Sequence, residues 1–227
     1  MKVMITQPTL LSWIGYFAMM DACETFVIYD DIQFSHQSWQ HRNKIRNQDK
    51  WMWLTVPVIH NEGQLINEVL IDNSKDWQKT HWKSIQQNYS HALCFKEYKD
   101  VFEKIYQTKW VKLIDLNVCL ITETALQLNI KMPRIVISSE IKTEGHKTDR
   151  LIPILKELGT DIYISGVAAK NYLEVKKLND IGIEVKWFEY AHPVYPQRGQ
   201  FIPYLSALDL LFNVGNASID YIRSGVK

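Results

Sequence analysis

The residues of this chain that could carry chemistry are concentrated in short segments that each follow an apolar stretch. One such segment covers residues 7–17 and another covers residues 30–50. Both mix amides, carboxylates, aromatic rings and basic groups, a combination that packing alone does not require. Polar segments that follow apolar strands are typical of α/β enzymes, which build their sites at the carboxyl edge of a sheet. The sequence therefore predicts a site at such an edge.

The first segment predicts a strand end followed by a helix. Proline cannot donate to a strand ladder, so Gln7-Pro8 ends the strand. Gly15 falls in the first helical turn, where glycine costs stability, and this predicts that another group approaches the backbone closely. A helix N-terminus at a sheet edge also favours anions. We expect Gln7, Trp13, Gly15 and Tyr16 to bind substrate; the alternative is that Gly15 only lets the helix pack against the sheet.

The second segment places paired carboxylates at the end of a strand. Adjacent strand residues point in opposite directions, so one of Asp30 and Asp31 would face the site while the other caps or pairs with an arginine. The facing carboxylate could bind Mg²⁺ or accept a hydrogen bond from a ribose or an amino group. We predict Asp30 as catalytic and Asp31 and Gln33 as substrate-binding. A solvated turn is the alternative.

A basic stretch follows within residues 34–50. Arg42 and Lys44 are predicted to neutralise phosphates, with Trp39 stacking on a base or sugar and Asn43 also contacting substrate. The usual explanation of such a stretch is a solvated loop. Two histidines within it lack a third partner at ligand spacing, so they do not predict a metal site.

Two later segments also follow predicted strands. Lys147 and Thr148 open a helix where backbone N–H groups and a cation could hold a di- or triphosphate, although the glycine spacing of a P-loop is absent. Ser165-Gly166 ends a further strand and is assigned to substrate binding. In the proline-rich stretch near the C-terminus, His192 could act as a general base and Tyr195 could contact substrate. A structural role is the more common one for a lone histidine.

The elements that must position these residues alternate along the chain. Short apolar runs predict five strands at residues 2–6, 25–29, 134–138, 161–165 and 184–188. Helical patterns cover residues 13–23, 148–158 and 170–178, which predicts an α/β fold with a mostly parallel, five-stranded, Rossmann-like sheet. Residues 51–58 and 68–71 suggest a strand pair, and helices are predicted at 77–89, 97–106 and 110–128. We interpret the chain as one domain, 1–227, with a mainly helical insertion at about 51–130 between the second and third parallel strands.

Bulk properties restrict the possible partners. The formal net charge of +1 over 227 residues provides no global field for a nucleic acid. No apolar run has the length of a membrane helix, so no membrane insertion is expected. The three cysteines lack ligand spacing and indicate a reducing, cytoplasmic location. The sequence leaves a homo-oligomer open.

These segments resemble the WbqC-like family, whose members occur in bacterial gene clusters for surface polysaccharides of the O-antigen type. The resemblance runs from end to end and is carried by Gln7-Pro8, residues 13–17, 30–34, 38–40 and 42–45, Lys147-Thr148, Arg150-Leu151, Ser165-Gly166, His192-Pro193, residues 195–197, Phe201, and residues 203–206 and 208–212. The family usually begins the first motif with His-Gln-Pro, whereas Thr6 stands here in place of the histidine.

The resemblance implies a transferase or ligase of lipopolysaccharide biosynthesis that handles ATP, with Mg²⁺, or a nucleotide-linked amino sugar. Family members have been described as glycine (aminoacyl) transferases acting on an amino sugar. At the level of the fold the chain also resembles nucleotidylyltransferases, so nucleotidyl transfer to a sugar phosphate is an alternative. A protein that binds a nucleotide sugar without turnover is a second alternative, which Thr6 favours.

Overall fold

Five parallel strands form the central sheet of the protein. The computed structural model describes residues 1–141 and 143–227; Lys142, which lies in the predicted phosphate-binding segment, is outside the described residues. The elements in chain order are β1 (Lys2–Thr6), α1 (Ile14–Asp21), β2 (Thr25–Ile28), β3 (Arg42–Asn47), β4 (Lys50–Thr55), β5 (Val58–Ile59), β6 (Leu70–Ile71), α2 (Trp77–Tyr89), α3 (Phe95–Gln107), α4 (Leu113–Gln127), β7 (Arg134–Ile137), α5 (Lys147–Glu157), β8 (Ile162–Gly166), α6 (Val175–Asn179), β9 (Glu184–Phe188), α7 (Ala207–Val214) and α8 (Ser218–Ser224).

The strand order in the sheet is β7-β2-β1-β8-β9, and every pairing in it is parallel. The chain builds outward from β1 to β2 and β7, then returns to the other side of β1 for β8 and β9. The carboxyl ends of β1 and β8 therefore flank the point where the direction of winding reverses, which is where open α/β sheets bind ligands. The predicted α/β class and parallel Rossmann-like sheet are confirmed.

Both faces of the sheet are covered by apolar packing. Met4 and Phe26 pack into one core with α1, α4 and α7, whereas Val3 and Val27 pack into a second core with α5. Neighbouring strand residues thus alternate between the two cores, as the two-residue period of a strand requires. This double burial explains why these strands read as continuous apolar runs.

The element bounds mostly agree with those predicted from the sequence. The strands Lys2–Thr6 and Glu184–Phe188 and the helix Trp77–Tyr89 coincide with their predictions. The weak helical pattern at 170–178 forms a 3₁₀ turn at Val167–Asn171 and the short helix α6 instead. Of the described helices, none combines the length and apolar character needed to cross a membrane.

The segment between β2 and β7 is mainly helical, as predicted, but it begins differently. Residues 42–47, expected to be loop, form β3, which pairs antiparallel with β4. The predicted pairing of 51–58 with 68–71 is correspondingly wrong for most of its length, because only Val58 and Ile59 pair with β6. The interior positions of β3 include the polar residues Asn43 and Arg46, so its sequence lacks the apolar alternation of an ordinary strand.

Candidate functional site

The largest cleft described lies at the carboxyl ends of β1 and β8. It has a volume of about 760 Å³ and extends to the N-terminus of α5. Among the residues predicted from the sequence, five line it: Gln7, Gln33, Lys147, Ser165 and Gly166. The structure thus brings together predicted segments from the ends of four different strands, β1, β2, β7 and β8. We refer to this space as the large cleft.

One end of the large cleft carries positive charge. His146, which precedes α5, and Lys147 and Arg150 from the first turns of the helix all line it, and no aspartate or glutamate does so among the residues that the structure describes. His146 is the N-cap residue of the helix, and its side chain makes no capping hydrogen bond. The N–H groups of the first turn are therefore not occupied by the N-cap side chain. Gly145, with φ +99°, supplies the left-handed turn that leads into the helix. Basic side chains beside a helix N-terminus form an arrangement that can bind an anion.

Arg150 also fixes α5 against the end of β2. Its Nη2 donates to Asp31 Oδ2 at 2.6 Å and to the Asp31 carbonyl at 2.8 Å. The other carboxylate oxygen of Asp31 accepts from Ser138 Oγ, which follows β7. Asp31 and Arg150 therefore tie together three segments that surround the carboxyl edge. This pairing of one carboxylate with an arginine was one of the two arrangements predicted for the Asp30-Asp31 pair.

Asp30 is buried beneath the same edge and does not line the large cleft. Its Oδ1 accepts from the Ser139 backbone N–H at 2.9 Å and from Ser138 Oγ at 2.9 Å, and its Oδ2 accepts from Ser139 Oγ at 2.8 Å. With both oxygens engaged and only 2% of the residue exposed, this carboxylate does not fit a magnesium ligand. Within the described residues, no group of three or more histidine, cysteine or acidic side chains could hold a metal ion.

Aromatic side chains form another part of the large cleft. Tyr29 and Tyr163, beside the strand ends, and the half-exposed Tyr172 line it. Burial raises the pKa of Tyr29 to about 12 and that of Tyr163 to about 12. Both hydroxyls are therefore neutral near pH 7 and can offer hydrogen bonds and ring surface, but not a base.

A second, smaller cleft of about 250 Å³ adjoins the large one. It is lined by Thr9, Trp13, Trp39, Asn43 and Tyr204, and Thr9 also lines the large cleft. The predicted residues Trp13, Trp39 and Asn43 thus lie together, but not beside Lys147. We refer to this space as the small cleft.

Gly15 explains how Trp13 is placed in the small cleft. A Cβ atom added at Gly15 would lie 2.3 Å from Trp13 Cη2 and 2.4 Å from Cζ2. The close approach predicted from this glycine is therefore real, but the group that approaches is the indole of Trp13. The adjacent ring of Tyr190 contacts the same indole edge-on, with centroids 5.5 Å apart.

The β3–β4 hairpin holds the predicted basic residues against tryptophans. The Arg42 guanidinium lies 4.4 Å from the ring centroid of Trp53, and Lys44 Nζ lies 4.1 Å from that of Trp51. Neither Arg42 nor Lys44 lines the large cleft. Asn43, between them, donates to the carbonyls of Leu10 and Leu11 at 2.9 and 3.0 Å, so its amide ties the hairpin to the loop after β1.

Four other predicted site residues lie in the interior or in side-chain networks. Tyr16 is 2% exposed and packs edge-on against Phe26 in the core, so it cannot stack on a substrate in this conformation. Thr148 is fully buried and accepts from the Glu174 N–H at 3.0 Å. The Tyr195 hydroxyl is likewise buried and donates to Asp209 at 2.9 Å.

His192 is the fourth of these residues, and both of its ring nitrogens are engaged. Nδ1 donates to the Pro193 carbonyl at 2.9 Å, and Nε2 accepts from the Tyr204 N–H at 3.1 Å. Burial lowers its pKa below the ordinary histidine value. This geometry matches the structural role that is common for a lone histidine, since the ring holds Tyr204 beside Trp13.

Several residues that line the clefts were not among the predicted site residues. They include Thr9, His146, Arg150, Tyr172 and Tyr204. A sequence signal existed for His146 and Arg150, which flank the predicted Lys147-Thr148 pair, and for Thr9, which lies inside the first motif. Tyr172 reaches the large cleft only through tertiary packing, and its own sequence neighbourhood gives no indication of it. Tyr204 lies within residues 203–206, which carry part of the family resemblance, although no site role was predicted for it.

Comparison with known proteins places this architecture in a family. The uncharacterized protein Rv1507c of Mycobacterium tuberculosis is 36% identical over 230 aligned residues, which cover 98% of this chain and 97% of that protein. No solved structure matches the chain significantly. The profile of the WbqC-like protein family matches residues 7–221, a span that includes all of the small cleft, most of the large cleft and the hairpin between β2 and β7. The chain therefore belongs to the WbqC-like protein family.

Proposed function

We propose that this protein is a cytoplasmic transferase or ligase of surface-polysaccharide biosynthesis (O-antigen type, lipopolysaccharide). Its ligand would be ATP or a nucleotide-linked amino sugar, bound in the large cleft. The observation that carries the proposal is the position and charge of that cleft. It lies at the switch point of a parallel sheet, and its described lining has basic side chains at one end and no acidic ones.

The phosphates would bind at the N-terminus of α5. Lys147 is exposed and makes no ion pair with the residues that the structure describes, so its ammonium group can contact phosphate oxygens. The first-turn N–H groups of this 11-residue helix add the positive end of its dipole. Arg150 supports this site chiefly by anchoring the helix through Asp31. Tyr172, which is 52% exposed, offers a ring for the base or sugar.

The transferred group would be an aminoacyl group, such as glycine, passed to an amino sugar. Formation of the amide requires an activated carboxyl carbon, attack by the amine nitrogen, departure of the activating group and loss of a proton from the nitrogen. Histidine is the side chain that most often accepts such a proton. His146 lines the large cleft beside Lys147, so we assign this role to it in place of His192, whose nitrogens are engaged.

Titration calorimetry tests the binding step. ATP, UDP-sugars and dTDP-sugars are titrated into the protein, each with and without Mg²⁺. Removal of a charge-assisted contact costs about 1.5–3 kcal/mol, so we expect Lys147→Ala to weaken the bound nucleotide by about 10- to 100-fold. Lys156→Ala is the matched control, because Lys156 is an exposed lysine in the last turn of the same helix. Failure of every nucleotide to bind the native protein, or equal losses in both variants, would contradict the proposal.

A non-catalytic nucleotide-sugar binding protein is the alternative that a specific observation favours. Thr6 lines the large cleft at the position where the family usually has a histidine. The two functions differ in turnover. Mass spectrometry of nucleotide, amino acid and amino-sugar mixtures after incubation would detect AMP or a new amide if the protein is a transferase. Release of pyrophosphate from a nucleoside triphosphate, when a sugar phosphate is the only other substrate supplied, would identify nucleotidyl transfer instead. A nucleotide that binds tightly and is recovered intact from every mixture would identify the binding protein.

A further inference from the structure

We propose that the small cleft binds the sugar ring of the acceptor, with Trp39 and Tyr204 as its stacking surfaces and Thr9 at the passage to the large cleft. This inference deepens the proposed function and rests on it for the identity of the reaction. The binding of a sugar ring in the small cleft is a separate physical claim, and it can be tested without any nucleotide.

Aromatic rings form most of the small cleft, and part of their surface is open to solvent. Trp39 is 47% exposed and Tyr204 is 56% exposed, although side chains of this size are normally buried in a folded protein. Trp13 forms a third wall, with its ring centroid 5.7 Å from that of Tyr204. Exposed aromatic surface that lines a concave site is a common feature of ligand pockets.

These walls are fixed before any ligand binds. The Trp39 carbonyl accepts from the Leu10 N–H at 2.9 Å, which joins the loop of Trp39 to the loop that contains Thr9. Trp13 is locked against Gly15, and His192 holds the backbone of Tyr204. Ligands that bind rigid walls avoid the entropic cost of ordering them. The open aromatic surface is therefore a built feature of the native fold.

The polar groups of the small cleft fit a sugar better than a purely apolar ligand. A pyranose ring has C–H groups on its faces, which pack on aromatic rings, and hydroxyl or amino groups around its edge. The Thr9 hydroxyl, 2.6 Å from Ser12 Oγ, lies at the wall that both clefts share. The Lys44 ammonium lies 5.8 Å from the Trp39 ring centroid, but Lys44 does not line the small cleft, so no contact with the sugar is assigned to it. The Asn43 amide is already engaged and would not contribute.

The arrangement of the clefts also suits a two-substrate reaction. The volume of about 250 Å³ is the size of a single ring with its substituents, whereas the large cleft, at about 760 Å³, has room for a nucleotide. Since Thr9 lines both, a sugar in the small cleft would present an edge substituent toward a group activated in the large one. Gln7 lies directly after β1, in the same loop as Thr9, and its side-chain oxygen accepts a hydrogen bond from the Gln40 side chain at 2.8 Å.

Saturation-transfer NMR with methyl glycosides tests this inference. The probes are the methyl glycosides of glucosamine and of N-acetylglucosamine, titrated into the full-length protein without nucleotide. We expect saturation of the ring C–H signals, at least tenfold weaker binding in Trp39→Ala, and partial retention in Trp39→Phe. Trp51→Ala is the matched control, because Trp51 is a similarly exposed tryptophan, in β4, that does not line the small cleft. It should bind the glycosides like the native protein.

Each outcome decides the matter. Absence of glycoside binding to the native protein, or equal affinity in the native protein and Trp39→Ala, would overturn the inference. Displacement of the glycosides by free adenosine or uridine would also overturn it, because the small cleft would then be a base pocket. Calorimetry with nucleotides on the same variants separates this test from that of the proposed function. Nucleotide binding without glycoside binding refutes only the acceptor site, and the reverse result refutes only the nucleotide site.

Discussion

Gly15 offers a test of how the fold prepares the small cleft. In Gly15→Ala the new methyl group would meet three ring carbons of Trp13 at 2.3, 2.4 and 2.7 Å. Nonbonded carbon atoms prefer separations of about 3.5–4.0 Å, so the indole must withdraw by about 1 Å or more. It cannot move freely, because Tyr190 and Tyr204 contact it with centroid separations of 5.5 and 5.7 Å.

Two opposing effects set the size of the stability change. Replacing a helical glycine by alanine gains about 0.5–1 kcal/mol of helix stability. Overpacking a constrained site costs about 1–3 kcal/mol. Because Trp13 is only half-buried and part of its contacts can rearrange, we expect a net loss of about 1 kcal/mol in the free energy of unfolding. For a chain of this size the midpoint of thermal unfolding would fall by about 2–4 °C.

The assay combines calorimetric unfolding with methyl glycoside binding. Gly166→Ala is the matched control for stability, since no atom lies within 4 Å of a Cβ atom added at Gly166 and its backbone is not left-handed. This control should be as stable as the native protein or slightly more so. Glycoside binding should be lost in Gly15→Ala as the indole moves. An unchanged or higher unfolding midpoint together with intact glycoside binding would refute the argument that Gly15 fixes Trp13.

Two further predictions concern buried charge and protonation. Burial lowers the pKa of His81 to about 4. Between pH 7 and pH 5 the unfolded chain therefore takes up a proton that the folded chain does not. Over this range the native protein should lose about 2 kcal/mol of unfolding free energy that His81→Gln does not lose. Denaturant unfolding of both proteins at the two pH values checks this, and parallel losses would contradict it. Arg150→Met should cost about 2 kcal/mol by leaving the mostly buried Asp31 carboxylate without its cation. In a double-mutant cycle Asp31→Asn should recover part of that loss, and strictly additive losses would show that the ion pair contributes nothing.

The sheet could be predicted from the sequence because its strands carry local apolar patterns. β1, β2 and β8 have apolar residues at successive positions, and the edge strand β9 alternates apolar residues with the exposed Glu184 and Lys186, so local pattern was enough. The strand β3 does not carry it. Asn43 and Arg46 are buried there because their partners are the carbonyls of Leu10, Leu11 and Gln200, which are distant in sequence. No local pattern identifies a strand whose interior is polar.

Only some of the predicted site residues line a cleft, and the reason is similar. Strand ends locate polar residues at the correct edge of a sheet, but they do not say which of those residues point into a cavity. Asp30 and Gln33 both follow β2, yet Asp30 turns inward to Ser138 and Ser139 while Gln33 lines the large cleft. The partners that decide the orientation of Asp30 are more than a hundred residues away.

The basic residues of the hairpin show most clearly how tertiary contacts redirect a prediction. The charge of the stretch and its position directly after a predicted strand end made Arg42 and Lys44 the predicted phosphate ligands. In the structure each cation already lies over an indole, at 4.4 Å from Trp53 and 4.1 Å from Trp51, and such contacts are worth about 0.5–2 kcal/mol each. Neither cation lines the large cleft, whereas Lys147 does. The cation that the sequence assigned to a phosphate is therefore held among the indoles of Trp39, Trp51 and Trp53, outside the lining of both clefts.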